Sequence, residues 1–160
     1  ALCRLLDRLA TRALDVHHGN GTQAIFEASP EVLYLSSHQM PLYPGTGYPA
    51  ETGCGNILNL PLPPGSGSTE FRAAWSGQGL PELERFGPDL VIISAGFDAH
   101  ERDPLGQLEL QDEDDGWITS EICAHVSSEC DGRVISILEA GYDLEALASA
   151  SSAHVPALTG

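Results

Sequence analysis

Asp89-Leu90-Val91-Ile92-Ile93-Ser94 has the near-continuous apolar character of a strand inside a parallel sheet. Val134-Ile135-Ser136-Ile137-Leu138 is a second such run. Val32–Ser36 and Asn56–Leu62 read as further strands, the latter closed by Pro63-Pro64-Gly65. Helical patterns stand between and after them. Residues 69–86 predict a helix with Ser68 as N-cap. Residues 112–130 predict another, with acidic residues at its start that suit the helix dipole. Residues 23–28 predict a short helix and 143–158 a closing one. Strands alternating with helices argue an α/β fold, with an open, mainly parallel sheet flanked by helices. Residues 1–12 suggest a helix with Leu2, Leu5, Leu6 and Leu9 on one face. Residues 40–55, rich in Gly and Pro, predict an ordered loop. No repeat, linker or internal boundary divides the 160 residues.

Seven basic against 23 acidic residues give a formal charge of −16. Phosphate backbones would repel such a chain, which argues against direct nucleic-acid binding. The charge suits cationic substrates such as lysine tails or polyamines, and ordinary acidic solubility accounts for it as well. No apolar run approaches the roughly 18 residues of a membrane span, so no membrane partner is expected. Ala1–Ala13 carries arginines and lacks the apolar stretch of a signal peptide. Cys3, Cys54, Cys123 and Cys130 form no C-x-x-C pair. They read as reduced thiols of a cytoplasmic protein.

Three places carry chemistry, each after the carboxyl end of a strand-like run, where open α/β sheets bind ligands. In Asp15-Val16-His17-His18-Gly19, residues two apart point the same way, so Asp15 and His17 can share one metal. In Ser94-Ala95-Gly96-Phe97-Asp98-Ala99-His100, the small residues let the backbone pass close to a ligand, and Asp98 offers a third metal-binding group. Three protein ligands with one open position is the catalytic zinc pattern. In Glu139-Ala140-Gly141-Tyr142-Asp143, the Tyr142 hydroxyl can donate to a developing oxyanion. Taken singly, each also reads as ordinary structure: Asp15 and Asp98 as turn caps, Tyr142 as a packing residue.

Taken together and in order, DVHHGNGTQ, SSHQMPLYPGTGY, ETGCGNILNLPLPPGSG, SAGFDAHERDPLG and LEAGYDLEAL resemble the zinc-dependent histone deacetylase family. That family includes bacterial acetylpolyamine amidohydrolases and acetoin-utilisation proteins, and the wording here is most like its bacterial and class II-like members. The resemblance runs from Asp15 nearly to the end. It implies an arginase/deacetylase-like fold, N-terminally incomplete, with residues 1–160 as one partial domain. It implies zinc (Zn2+) on Asp15, His17 and Asp98, and Tyr142 as the transition-state tyrosine. Gly141 and Tyr43, or its neighbour Leu42, would line the channel for the acylated side chain; Leu42 departs from the aromatic many members carry. It also implies structural monovalent cations such as K+. One site would use the Asp15 and His17 carbonyls with Ser36 and Ser37, another the carbonyls around Phe26, Ser29 and Val32.

The implied reaction is metal-assisted hydrolysis of the acetyl amide of acetyl-lysine or acetylated polyamines. The family's general-base histidine pair lies upstream of the matching segments, and His17-His18, in its metal-motif context, is not that pair. A catalytically incomplete fragment, acting only as a metal-binding or interaction module, is therefore the alternative. It predicts an exposed apolar sheet edge. A related manganese ureohydrolase would need bridging carboxylates that Asp98-Ala99-His100 does not offer. Before Asp15 the pattern breaks: Arg12 would put a charge in a buried central strand, and Ala13 replaces an aspartate. The sheet is thus expected to lose its early strands and the one leading into Asp15.

Overall fold

The structure is a computed structural model. It describes residues 8–126 and 132–159, and of residues 12 and 13 the backbone. Five strands form one parallel sheet in the order β3-β2-β1-β4-β5. They are β1 (Leu9–Leu14), β2 (Val32–Gln39), β3 (Ile57–Leu62), β4 (Leu90–Gly96) and β5 (Val134–Ala140). The helices are α1 (Asn20–Phe26), α2 (Ser68–Ala74), α3 (Leu80–Phe86), α4 (Asp112–Val126) and α5 (Leu144–Ala157). The sheet and its alternation with helices agree with the sequence expectation.

The stretch before Asp15 does not. Leu9–Leu14 is the central strand rather than part of a helix or a lost element. Ala10 pairs with Leu33 of β2 on one side and with Val91 of β4 on the other. Leu, Ala and Arg favour helix locally, but that preference is worth only tenths of a kcal/mol per residue. Two flanking ladders and the burial of Ala10 and Leu14 outweigh it. The expected cost of burying Arg12 concerns a side chain outside the described ones. Residues 1–7 of the helix expected over 1–12, Cys3, Cys130 and the last residues of the expected 112–130 helix also lie outside the described residues.

The predicted 69–86 helix forms as α2 and α3 joined by a wider π turn at Trp75–Gly79. A Cβ on Gly79 would stand 2.1 Å from Cε3 of Trp75. The missing side chain lets the fully buried indole fold along its own helix. Ser68 is the first helical residue rather than the cap: Gly67 holds the cap position, and Ser68 Oγ donates to Asp114 Oδ2 at 2.6 Å. Asp143 caps α5 by accepting from the Ala146 amide at 2.7 Å.

The core lies between one sheet face and the helices. Ala10, Leu33, Leu35, Val91 and Ile93 meet Trp75, Leu83, Ile118 and Ile122 there. The opposite face is more open than the apolar run of β4 predicts. Ile92 and Ser94 are half-buried, and their register partners on β5, Ile135 and Ile137, are each 49% exposed.

Candidate active site

Asp15 follows β1, Asp98 follows β4 and Tyr142 follows β5. Adjacent parallel strands thus bring three distant stretches to one end of the sheet. Asp15 and Tyr142 border a concavity of about 500 Å3 on the open face, with Thr11, Tyr34, Ile92 and Ile137 as its floor.

At its head, Asp15, His17 and Asp98 present ligand atoms within 4.8 Å of one another. His17 Nδ1 lies 3.2 Å from Asp15 Oδ1 and 3.0 Å from Asp98 Oδ2. Backbone amides fix both carboxylates. The His17 amide donates to Asp15 Oδ1 at 2.7 Å, and the Val16 amide donates to Asp98 Oδ1 at 2.8 Å. Asp98 is fully buried. Burial and then the Asp15 charge push its carboxyl up to about 7. One imidazole nitrogen carries at most one hydrogen, so it cannot satisfy two carboxylates at once. Two oxygen donors and one imidazole converging on a single point form a donor set that fits zinc.

Tyr142 and Tyr43 stand on the rim, 53% and 80% exposed. Loss of hydration and then the charges of Asp98, Asp15 and Asp103 push the Tyr142 phenol upward, keeping it a donor. The Tyr43 ring meets His17 edge-on at 6.5 Å between centroids. Leu42 instead packs against the core, so of the two channel candidates it is Tyr43 that faces the concavity. Gly141 holds φ at +140°, where a side chain would be strained and would press on Leu147 and Phe97.

The residues expected to hold monovalent cations have partners within the chain. Ser36 Oγ pairs with His38 Nδ1 at 3.0 Å, and Ser37 Oγ accepts from Trp75 Nε1 at 3.1 Å. The carbonyls of Phe26, Ser29 and Val32 do converge, at 2.8, 3.0 and 2.7 Å, on the side-chain amide of Asn56. The protein thus supplies its own donor at that point.

His18 is buried beneath the site. Gln23 donates through Nε2 to Glu51 Oε2 at 2.6 Å, so its Oε1 accepts from His18 Nε2 at 2.9 Å. Thr46 then donates to His18 Nδ1 at 2.8 Å. Both ring nitrogens are occupied, and burial lowers the pKa. Sequence reasoning missed Glu51, which also accepts from the Gly47 and Tyr48 amides and so orders the glycine-rich loop. A lone carboxylate within that loop was the only signal. It missed Asp103 as well.

Residues 4–158 match the histone deacetylase domain family. The chain is 42% identical over 148 residues to "Histone deacetylase 10, chloroplastic" of Oryza sativa subsp. japonica, covering 90% of this chain and 33% of that protein. It is 41% identical to a "Probable deacetylase" of Archaeoglobus fulgidus, covering 87% of this chain and 40% of that one. Among solved structures it resembles the HDA15 HD domain, with a TM-score of 0.89 and 36% identity, over 96% of this chain and 44% of that one. The acetylpolyamine aminohydrolase from Burkholderia pseudomallei gives 0.87 and 31%, over 97% and 46%. The chain thus spans a third to just under half of the length of these four relatives.

Proposed function

The chain belongs to the histone deacetylase domain family, and from that membership we propose that it carries the metal-binding part of a zinc-dependent deacetylase. The substrate would be the acetyl amide of acetyl-lysine or of an acetylated polyamine or amine. The observation that carries this reading is the convergence of Asp15, His17 and Asp98 at the head of the concavity. Zinc, when bound there, polarises a carbonyl and acidifies water.

The chain's own residues have simpler tasks. Asp15, His17 and Asp98 hold the metal, and the Val16 and His17 amides hold the carboxylates in place. Tyr142 donates its hydroxyl proton in a hydrogen bond to the acetyl oxygen as negative charge gathers there. Tyr43 and Gly141 border the acyl chain's path. The acidic surface draws a cationic amine substrate. Proton abstraction from water needs a base, and such a group is worth roughly 10²–10⁴ in rate. His18, engaged by Thr46 and Gln23, is not free to serve.

The alternative, a metal-binding or interaction module without turnover, draws support from the exposed Ile135, Ile137 and Leu138 on β5. One assay separates the two: hydrolysis of an acetyl-lysine peptide and of an acetylated polyamine by the purified chain, with zinc supplied and Asp98→Ala as control. Turnover abolished by Asp98→Ala supports the deacetylase. A folded chain that binds one zinc and releases no acetate supports the module.

A further inference from the structure

Asp103 lies in the turn after Asp98 and is 6% exposed, yet among the described residues no basic side chain pairs with it. Its carboxylate serves two segments instead. Oδ2 accepts from the Tyr142 amide at 2.8 Å and the Asp143 amide at 3.2 Å. Oδ1 accepts from the Leu105 amide at 3.0 Å. The turn that bears it is itself anchored. The Asp103 amide donates to the His100 carbonyl at 2.9 Å, and buried His100 pairs with Asp112 on α4 at 3.2 Å. Further on, the Gln107 amide donates to Gln39 Oε1 at 2.7 Å. Residues 100–107 therefore form a strut between the Asp98 strand, the end of β2 and the turn that carries Tyr142.

Resting on the deacetylase reading of Tyr142, we infer that Asp103 is a positioning residue. Its carboxylate pins the Tyr142 turn to the segment following Asp98, holding the tyrosine against the metal triad. Two features call for a pin. Tyr142 is half-exposed and so weakly held by packing, and Gly141 before it leaves the backbone free to swing. A carboxylate accepts on both oxygens, whereas an asparagine offers one acceptor and two donors. Asp103→Asn can serve Leu105 or the Tyr142 turn, but not both.

The test places 3-fluorotyrosine at position 142 and follows its 19F resonance during zinc titration of the parent chain, Asp103→Asn and Asp103→Ala. Amide exchange is read in parallel. The parent resonance is expected to move as zinc saturates. In Asp103→Ala zinc affinity should stay within about threefold, because no ligand is touched. The zinc-dependent 19F shift should collapse, and the Tyr142 and Asp143 amides should exchange at least ~10-fold faster while β4 amides stay protected. Asp103→Asn should fall between, and it carries the test if Asp103→Ala does not fold. A parent-like zinc response in both variants overturns the positioning role alone. So does faster exchange spread equally through β4 and β5, which marks a general structural role. A parent resonance that ignores zinc removes the deacetylase site, and the role of Asp103 with it.

Discussion

Gly96 yields its side-chain space to Asp15: a Cβ at position 96 would stand 2.5 Å from Asp15 Oδ2 and 2.8 Å from its Cγ. Gly96 ends β4 and Asp15 directly follows the neighbouring β1, and Leu14 pairs with Ala95 just before them. The carboxylate reaches the triad only because the adjacent strand ends without a side chain on that side.

Gly96→Ala should therefore weaken zinc binding without altering a ligand. The added methyl must push Asp15 aside, which should cost about 10–100-fold in zinc affinity, as disturbed support of a ligand typically does. Competition with a chromogenic chelator measures it. Unchanged affinity would show that Asp15 is not needed where it stands.

Asp115 should limit stability at alkaline pH. It is buried beside Leu14, Phe71 and Leu108. Burial first, then the charges of Asp114 and Asp112, push its carboxyl up from 3.8 to about 8. A raised carboxyl favours the native state below the unfolded value, and that advantage is lost as pH climbs from 3.8 through 8. Asp115→Asn should raise Tm at pH 8 by ~4–8 °C, for about 2 kcal/mol, and change it little at pH 4. Thermal melts at the two pH values decide this; a lower Tm at pH 8 would mean the carboxylate has a partner it needs.

His38 gives the opposite dependence. It is fully buried, 4.7 Å from the His18 ring, and burial followed by the His18 charge lowers its pKa from 6.5 to about 4. Its Nε2 donates to the Gly47 carbonyl, so Nδ1 accepts from Ser36 and the ring is neutral. A depressed histidine stabilises the native state above 6.5, and the benefit disappears as pH falls through 4. The loss should reach roughly 3 kcal/mol. Urea unfolding from pH 7 to 4 should fall less steeply in His38→Gln; identical slopes would assign the acid sensitivity elsewhere.

Much of this was legible in the residues. The apolar runs at 89–94 and 134–138 gave β4 and β5 as short β-branched stretches bounded by turns, although β5 stands at the sheet edge with Ile135 and Ile137 half-exposed. Asp15, His17, Asp98 and Tyr142 were singled out by the resemblance of the motifs that carry them, and the structure brings the ligand atoms of the first three within 4.8 Å of one another. Leu9–Leu14 was not legible as a strand. Its local preferences are helical, and only pairing with β2 and β4 reverses them. Asp103 was hidden for a related reason: its partners, Tyr142 and Asp143, lie about forty residues away and are backbone amides, which carry no sequence signature.

By itself, then, the sequence determined the strand-and-helix alternation, the net charge and the set of chemically capable side chains. These follow from local periodicity and from what each side chain can do. Tertiary structure alone decided that Leu9–Leu14 is the central strand, that Tyr43 rather than Leu42 faces the concavity, and that Gly96 makes room for Asp15. Each depends on contacts between stretches far apart in the chain, where packing and paired hydrogen bonds outweigh local preference.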